Sequence, residues 1–470
     1  MTKTLLTNAN PGNLAVICES GERISYLQLN QDIEKFSEFF ERRGLIFIVG
    51  GNHYSVLQCY LTAFESGLVP LLLDPSITLE QLEKLVSIYN PHWIFLPKIL
   101  SYEVTYSTVW SDRDYSLHAC SGQDWSSLHP ELSLLSSTSG STGSPKLVKL
   151  SRTNVLSNAK AISQYLKLSR DDRALAHLPL NYSFGLSVIH SHLYAGASVF
   201  LTDQSMMSRS FWENARNNQV TSISGVPYHF DMILRLGLSK IDIPTLKDMM
   251  QAGGKMQPEK ISKFNSICQE QNIRFWLMYG QTEASPRIAY LQPRAVEAKP
   301  GSIGKSIPGG ELSLKNELGE KIDGENVKGQ LVFRGPNVFM GYANQAEDLS
   351  IGDINNGILY TGDLAYKDED GDYYICGRLS RFIKVFGKRI SLDDIEDFLS
   401  QQNLEGVATG QDDKIILALL EPSNAELKKI LADRLGLHIS AIKVIQIEEV
   451  PYKDSGKVDY QCLKTLLKLN

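Results

Sequence analysis

The chain lacks most of what would tie it to a membrane, a nucleic acid or an oxidising compartment. Its six cysteines, Cys18, Cys59, Cys120, Cys268, Cys376 and Cys462, are scattered, and no two form a Cys-x-x-Cys pair. That spacing excludes a zinc ribbon and argues against a disulfide frame; it fits reduced thiols in a cytoplasmic protein. Positive charge is not in excess: 47 Lys and Arg face 53 Asp and Glu, for a formal net charge of -6. Such a balance gives no electrostatic footprint for nucleic acid or anionic lipid. No apolar run approaches membrane-spanning length, so no integral membrane segment is expected; 68–73 is a short buried strand at best. Residues 1–13 lack the apolar core of a signal peptide. No Gly-x-Gly-x-x-Gly follows a strand-like run, which disfavours a nicotinamide enzyme. Repeats and low-complexity segments are missing too. A chain of 470 residues with this ordinary composition reads as a soluble enzyme of two or three domains.

What is present is a regular alternation of apolar patterns. A strand-like 24–29 leads into a helix over 30–43, where Ile33, Phe36, Phe39 and Phe40 make an apolar stripe and Gly44 ends it. Continuous apolar runs at 45–49, 68–73 and 93–96 are separated by helical patterns at 54–66 and 79–89. A helix over 151–166 carries Val155, Ala159, Ile162 and Leu166 on one face, and strand-like runs recur at 195–201, 220–226, 246–250 and 273–278. Fully apolar strands between helices predict an α/β fold with parallel sheet covered on both faces. From about 302, Gly-rich turns between β-type runs such as 329–334 predict a β-rich subdomain. Beyond Gly377-Arg378, helices at 392–399 and 424–435 with strands at 414–420 and 443–447 predict a small α+β unit. Its size suits a moving lid.

Chemistry concentrates in six polar segments. From Thr138 through Ser139, Gly140, Ser141, Thr142, Gly143, Ser144 and Pro145 to Lys146, every residue is glycine, a hydroxyl, proline or lysine, between two apolar runs. Such a loop offers bare backbone N–H groups, hydroxyl donors and one cation, the parts that hold a polyphosphate. The Walker spacing does not fit, because Lys146 follows Pro145 and precedes Leu147. A flexible linker has the same composition but rarely joins two strand-like runs. The segment 178–186, with Asn181, Tyr182, Phe184 and Gly185, mixes aromatics with glycine as a pocket wall would. Gly253 and Gly254 follow an apolar run, so backbone can approach a flat ligand. Tyr279-Gly280-Gln281-Thr282-Glu283 ends a strand, where open α/β sheets bind ligands. Thr361-Gly362-Asp363 offers a carboxylate able to bridge vicinal hydroxyls, and Ser455-Gly456-Lys457 sets a lysine after a turn. Taken singly, each has an ordinary structural explanation: a core aromatic, a helix-terminal carboxylate, a plain turn, a solvated lysine. His190 and His192, on one strand face by pattern, raise a metal-hydrolase reading, but without a third ligand they read as core or surface histidines.

In this set and order the segments resemble the adenylate-forming superfamily of acyl-CoA synthetases, peptide-synthetase adenylation domains and luciferases. The resemblance extends over nearly the whole chain and includes Gly377-Arg378 and 384–390. It implies a large N-terminal domain of mixed and parallel sheets covered by helices, with the β-rich subdomain, over 1–377. A small mobile α+β C-terminal domain would cover 378–470. It also implies that ATP and a carboxylic acid give acyl-AMP and pyrophosphate, after which the acyl group passes to a thiol. By the same resemblance the phosphate loop and Lys146 hold the β- and γ-phosphates, Glu283 binds Mg2+ and Thr282 meets the α-phosphate. Tyr279, Gly280 and Gln281 adjoin adenine with Gly253 and Gly254, Asp363 and Arg378 take the ribose, and Lys457 drives adenylation. Tyr182, Phe184, Val226, Tyr228 and Ala284 would wall the acyl pocket, and Ser380 would be the hinge, where the family usually has Asp or Lys. Leu147 departs from the Gly usual after the loop lysine. Asn181, Tyr182 and Ser183 stand where amino-acid-activating members carry an Asp, so a neutral-tailed acid, fatty or aryl, is expected. The thiol would be CoA, or the phosphopantetheine of an acyl carrier protein.

Overall fold

The computed structural model describes the chain except residues 1–3, 7, 102–105, 121–127, 138–145, 238–240, 403, 412, 423–424, 453–457 and 468–470. Its contacts divide it into two units: 1–311 with 333–359, and 312–332 with 360–470.

The first unit holds two large sheets. In the nine-stranded sheet, Leu14–Ile17, Ser198–Leu201, Arg173–Ala176, Ser222–Gly225, Asp248–Gln251 and Arg274–Gly280 run parallel in that spatial order. Antiparallel strands close both edges: Arg23–Ser25 on one side, Arg287–Leu291 and Lys305–Ser306 on the other. In the eight-stranded sheet the parallel centre is Leu45–Val49, Val69–Leu73, Trp93–Pro97 and Leu132–Ser137. The strand Leu147–Ser151 pairs antiparallel with Leu132–Ser137, and Gly341–Ala343 adds outside it. The central strands are buried on every residue, Leu45–Val49 and Val69–Leu73 among them, which is why they read as continuous apolar runs rather than alternating ones. Phe200, Phe211, Phe230, Phe264 and Phe275 fill one core against the nine-stranded sheet.

Local signals explain the element ends. The helix Leu79–Tyr89 starts on a capping box, Thr78 with Gln81, and stops at Asn90 in the left-handed conformation. The first helix departs from expectation. It spans Tyr26–Ser37, because the Ser25 side chain accepts from Gln28 N and starts the helix at Tyr26. Phe39 and Phe40 lie beyond its end, yet they still pack their rings on Phe36 at 5.6 and 5.8 Å. The apolar stripe was therefore a cluster, not one continuous helix. His190 and His192 sit on the helix Ser183–Tyr194 rather than on a strand. Both are buried; His190 Nε2 meets Tyr60 Oη at 2.7 Å, and His192 Nδ1 meets Val188 O at 2.8 Å.

In the second unit a five-stranded sheet, ordered Lys321–Ile322, Glu311–Lys315, Gly329–Arg334, Ile358–Lys367 and Tyr373–Arg378, supplies the β-rich part. A hairpin follows, Phe382–Val385 with Lys388–Ser391. Then Gly406–Gln411, Lys414–Leu419 and Ile442–Gln446 form a three-stranded sheet packed on the helices Leu392–Gln401 and Ala425–Leu435. The expected boundary at 377/378 falls inside this unit, at the short turn Leu379–Arg381. The turn is held firmly. Arg378 N donates to Asp393 Oδ2 at 2.8 Å, and the Arg381 guanidinium pairs with Asp393 at 2.5 Å and Glu396 at 2.7 Å. Arg381 also covers the Tyr460 ring at 3.9 Å, while Tyr460 Oη donates to Glu396 at 3.0 Å.

The buried histidines predict an acid-labile fold. Burial lowers His190 to about 3 and His192 to about 4, from about 6.5 in an unfolded chain. Their neutral forms stabilise the fold fully above about pH 6.5. That stability is lost as pH falls toward the folded values, by about 1.4 kcal/mol per pH unit for each ring. Melting temperature should therefore fall by several degrees between pH 7 and pH 5, and His190→Gln should flatten the dependence. An unchanged melting temperature across that range would refute the assignment.

Candidate active site

The site is built where the last parallel strand of the nine-stranded sheet turns back on itself. Arg274–Gly280 runs out, a short turn spans Thr282–Ala284, and Arg287–Leu291 returns antiparallel with Gly280 opposite Arg287. Gln281 N donates to Pro286 O at 2.8 Å. The return is so close that a Cβ on Gly280 would lie 1.9 Å from Pro286 O, which only glycine avoids. This crossing presents Tyr279, Gln281, Thr282 and Glu283 within one turn, and Gln281 Nε2 donates to Tyr279 Oη at 3.2 Å.

A tyrosine that the sequence did not single out organises the acidic corner. Gly341–Ala343 pairs with Leu147–Ser151 so that Tyr342 stands opposite Val148, two residues after Lys146. Tyr342 Oη donates to Glu283 Oε1 at 2.9 Å, and the Lys146 ammonium lies 3.3 Å from the centre of its ring. Glu283 O accepts from Phe339 N at 2.9 Å, fixing the backbone. Burial, then the Glu283 carboxylate, push the Tyr342 phenol well up, so it stays a donor to that carboxylate. Asn337 supports the turn from beneath, donating to Ala284 O at 2.6 Å and Arg287 O at 2.9 Å.

Beside this corner lies the aromatic wall. Tyr182 immediately precedes the helix Ser183–Tyr194, and its ring meets Phe184 at 6.1 Å. Ser183 Oγ and Thr282 Oγ1 are 3.0 Å apart, which joins the wall to the turn. Gly253, at φ +82, lies against Tyr182; a Cβ there would sit 2.5 Å from Tyr182 Oη and 3.0 Å from Val226 Cγ1. The Gly254 carbonyl accepts from Gln251 Nε2 at 2.9 Å. Burial pushes the Tyr182 phenol up to about 12, with Arg287 pulling against it. Val226 and Ala284 are fully buried, whereas Tyr228 is 48 % exposed, so it is the weakest of the expected wall residues.

Arg287 is the second group that the sequence reading missed. It is 2 % exposed, and its guanidinium covers the Phe184 ring at 4.2 Å. Its position just after the Tyr279–Glu283 segment was the available signal.

The second unit holds its own pair. Asp363 is 2 % exposed and meets Arg378 Nε at 3.1 Å across adjacent strands, while Arg378 itself remains more than half exposed. Ser380 lies in the turn Leu379–Arg381. Thr138, Ser139, Gly140, Ser141, Thr142, Gly143 and Lys457 lie outside the described residues.

The donor set fits Mg2+ rather than a fully protein-ligated metal. Among the described residues no group of three or more His, Cys, Asp or Glu side chains is placed to hold a metal. One carboxylate, Glu283, shares Tyr342 with the Lys146 ammonium, and Mg2+ is commonly held by one or two carboxylates together with substrate phosphates. The Gly280 crossing predicts a sharp steric penalty. Gly280→Ala should cost about 1–3 kcal/mol or more through forced backbone movement, read as a lowered melting temperature with loss of nucleotide binding. A variant with wild-type melting and binding would show that the crossing is looser than described.

Comparison with known proteins agrees with this geometry. The family model for AMP-binding enzymes matches residues 6–343. Oxalate–CoA ligase of Arabidopsis thaliana is 32% identical over 59% of the chain, an alignment spanning 54% of that protein. The 2-succinylbenzoate–CoA ligase of Bacillus cereus strain AH820 is 27% identical over 97% of the chain and 96% of its own length. The o-succinylbenzoate CoA synthetase of Bacillus subtilis, in complex with its acyl-adenylate intermediate, shares the fold at TM-score 0.76 and 24% identity, covering 98% of this chain and 96% of that one. Matched over residues 6–343, with Lys146 and Glu283 brought to one tyrosine, the chain belongs to the AMP-binding enzyme family.

Proposed function

We propose that the enzyme is an AMP-forming acid–thiol ligase that makes an acyl-CoA from a carboxylic acid, ATP and CoA. The observation that carries this is the pair of contacts at Tyr342. Its ring takes the Lys146 cation and its hydroxyl the Glu283 carboxylate, which directly follows Thr282. A cation for phosphate oxygens and a carboxylate for a divalent ion, at the end of a Gly- and hydroxyl-rich loop, is a triphosphate site. The relatives named as CoA ligases support CoA as the thiol over a carrier protein. None of the six cysteines is in a disulfide, which supports a reducing, cytoplasmic setting. Among the described residues no helix is long and apolar enough to cross a membrane.

In the first step a carboxylate oxygen of the acid attacks the α-phosphorus. The bond from that phosphorus to the bridging oxygen breaks, and pyrophosphate leaves with the electron pair. Both reactants are anions, so the residues act chiefly by offsetting charge. Lys146 and the loop hydroxyls and amides of 138–143 take the leaving pyrophosphate, and the Thr282 hydroxyl orients the α-phosphate. Glu283, steadied by Tyr342, would hold Mg2+, which supplies charge neutralisation to the phosphates when bound. Tyr279, Gln281, Gly253 and Gly254 flank the base, and Asp363 with Arg378 receives the ribose hydroxyls. In the second step the thiol sulfur, having lost its proton, attacks the acyl carbon and AMP leaves. Lys457 stands between carboxylate and α-phosphate in the first step only. Segment 378–470 turns about Ser380 between the steps and exchanges Lys457 for 384–389.

ATP–pyrophosphate exchange tests this reading. Wild-type enzyme should exchange label with at least one acid and release a thioester when CoA is added. Lys457→Ala should lower exchange by a hundredfold or more, as typical terms of about 3–4 kcal/mol per key donor imply. The same variant should transfer acyl groups from supplied acyl-AMP at near wild-type rate. Near-normal exchange in Lys457→Ala defeats the role given to that lysine; no exchange with any acid defeats the ligase reading.

A further inference from the structure

We propose that Arg287 is the recognition group for a second carboxylate on the substrate, so that the acid activated here is a dicarboxylate adenylated at one end. The proposal rests on the acid-activating reading above and deepens it.

The observation is a fully buried cation in neutral surroundings. Arg287 is 2 % exposed, and among the described residues no carboxylate lies within ion-pair distance of it. Its Nε has no hydrogen-bond partner. Nη1 contacts the Met278 sulfur, a weak acceptor, and Nη2 reaches Ser187 Oγ at a long 3.4 Å. The remaining neighbours are the Phe184 ring face at 4.2 Å, the Tyr165 phenol, which is hydrogen-bonded to the guanidinium, and the Tyr182 phenol. Every element packed against it, the helices Arg152–Leu166 and Ser183–Tyr194 and the strand Arg274–Gly280, therefore offers it only neutral groups. A guanidinium does not give up its proton in a protein, so it cannot escape burial by neutralising. A buried charge without an anion is costly, and natural folds keep one where an anion arrives.

The place decides which anion. Arg287 stands opposite Gly280 in the ladder, one turn from Thr282 and Glu283. Its guanidinium covers Phe184, whose neighbour Ser183 is 3.0 Å from the Thr282 hydroxyl. The charge thus lies against Phe184, which with Tyr182 was expected to wall the acyl pocket, and close to the Thr282 turn. A planar fork with an unsatisfied Nε matches a carboxylate. The body of the acid can be aliphatic or aryl, since Tyr182 and Phe184 are its walls. Its far end must carry charge, because a neutral tail would leave the guanidinium unpaired. Sites built around such a buried group reject analogues lacking the partner far more strongly than apolar pockets reject an extra methylene.

The test uses matched acids in the full-length enzyme: butanoate against succinate, pentanoate against glutarate, benzoate against phthalate. Each is assayed by ATP–pyrophosphate exchange and by CoA thioester formation. In wild type, the better dicarboxylate should exceed its monocarboxylate partner at least a hundredfold in kcat/KM. In Arg287→Gln that preference should collapse, with the dicarboxylate losing at least a hundredfold more in kcat/KM than its monocarboxylate partner. Arg287→Lys, which keeps the charge but not the fork, should fall between. Should Arg287→Gln fail to fold, the wild-type comparison still decides. Equal or better use of every monocarboxylate, or an Arg287→Gln enzyme that keeps its preference, overturns this assignment alone. Silence with all six while some other, neutral-tailed acid supports exchange also overturns the assignment alone; no exchange with any acid overturns the ligase reading, and the assignment falls with it.

Discussion

The site depends on one backbone contact, the return of the chain past Gly280 with no space for a methyl group between it and the Pro286 carbonyl. Because the outgoing and returning strands touch there, Tyr279, Thr282, Glu283 and Arg287 are presented on a scaffold fixed by ladder hydrogen bonds rather than on a free loop. Functional groups on such elements hold position to a few tenths of an ångström at little entropic cost, because the ordering is already achieved in folding. Asn337, bonded to carbonyls at both ends of the turn, serves the same end from below. The contact turns a strand terminus into a working surface.

Three charges on that surface are treated differently. Lys146 and Glu283 both meet Tyr342, which offers a phenol hydrogen to the carboxylate and a π face to the ammonium. Arg287 has no carboxylate within ion-pair distance among the described residues and is sealed behind aromatic rings. Its charge is held on a ready-made frame, the condition for using it on a ligand.

Much of this was readable from the residues, and the failures have physical causes. The parallel centres of both large sheets announced themselves because strands buried on both faces must be apolar at every position, as at 45–49 and 68–73. The helix Leu79–Tyr89 was legible to the residue because its ends carry local chemistry, Thr78 with Gln81 and then Asn90. The first helix was misplaced because Ser25 was read as strand rather than cap, and its Phe stripe continued into packing beyond the helix. The histidine pair was put on a strand because two residues two apart fit strand spacing; a helix hydrophobic on all sides shows no period to correct it. At the site, contiguous motifs were visible, whereas Tyr342 and Asn337 were not. Their roles come from strand pairing across a long sequence separation, which no local spacing encodes. Arg287 was overlooked for another reason: its place just after Tyr279–Glu283 was a signal, but it took the burial to tell it from an ordinary surface arginine.

The cluster of Arg381, Asp393, Glu396 and Tyr460 has a mechanical consequence. Arg381 follows Ser380 directly, and through Glu396 it grips Tyr460 at the head of the helix Tyr460–Leu466, the first helix after the segment bearing Lys457. Because the guanidinium is clamped by two carboxylates and a ring, side-chain play cannot absorb a shift of the turn Leu379–Arg381: the helices Leu392–Gln401 and Tyr460–Leu466 would travel with it as one stiff piece.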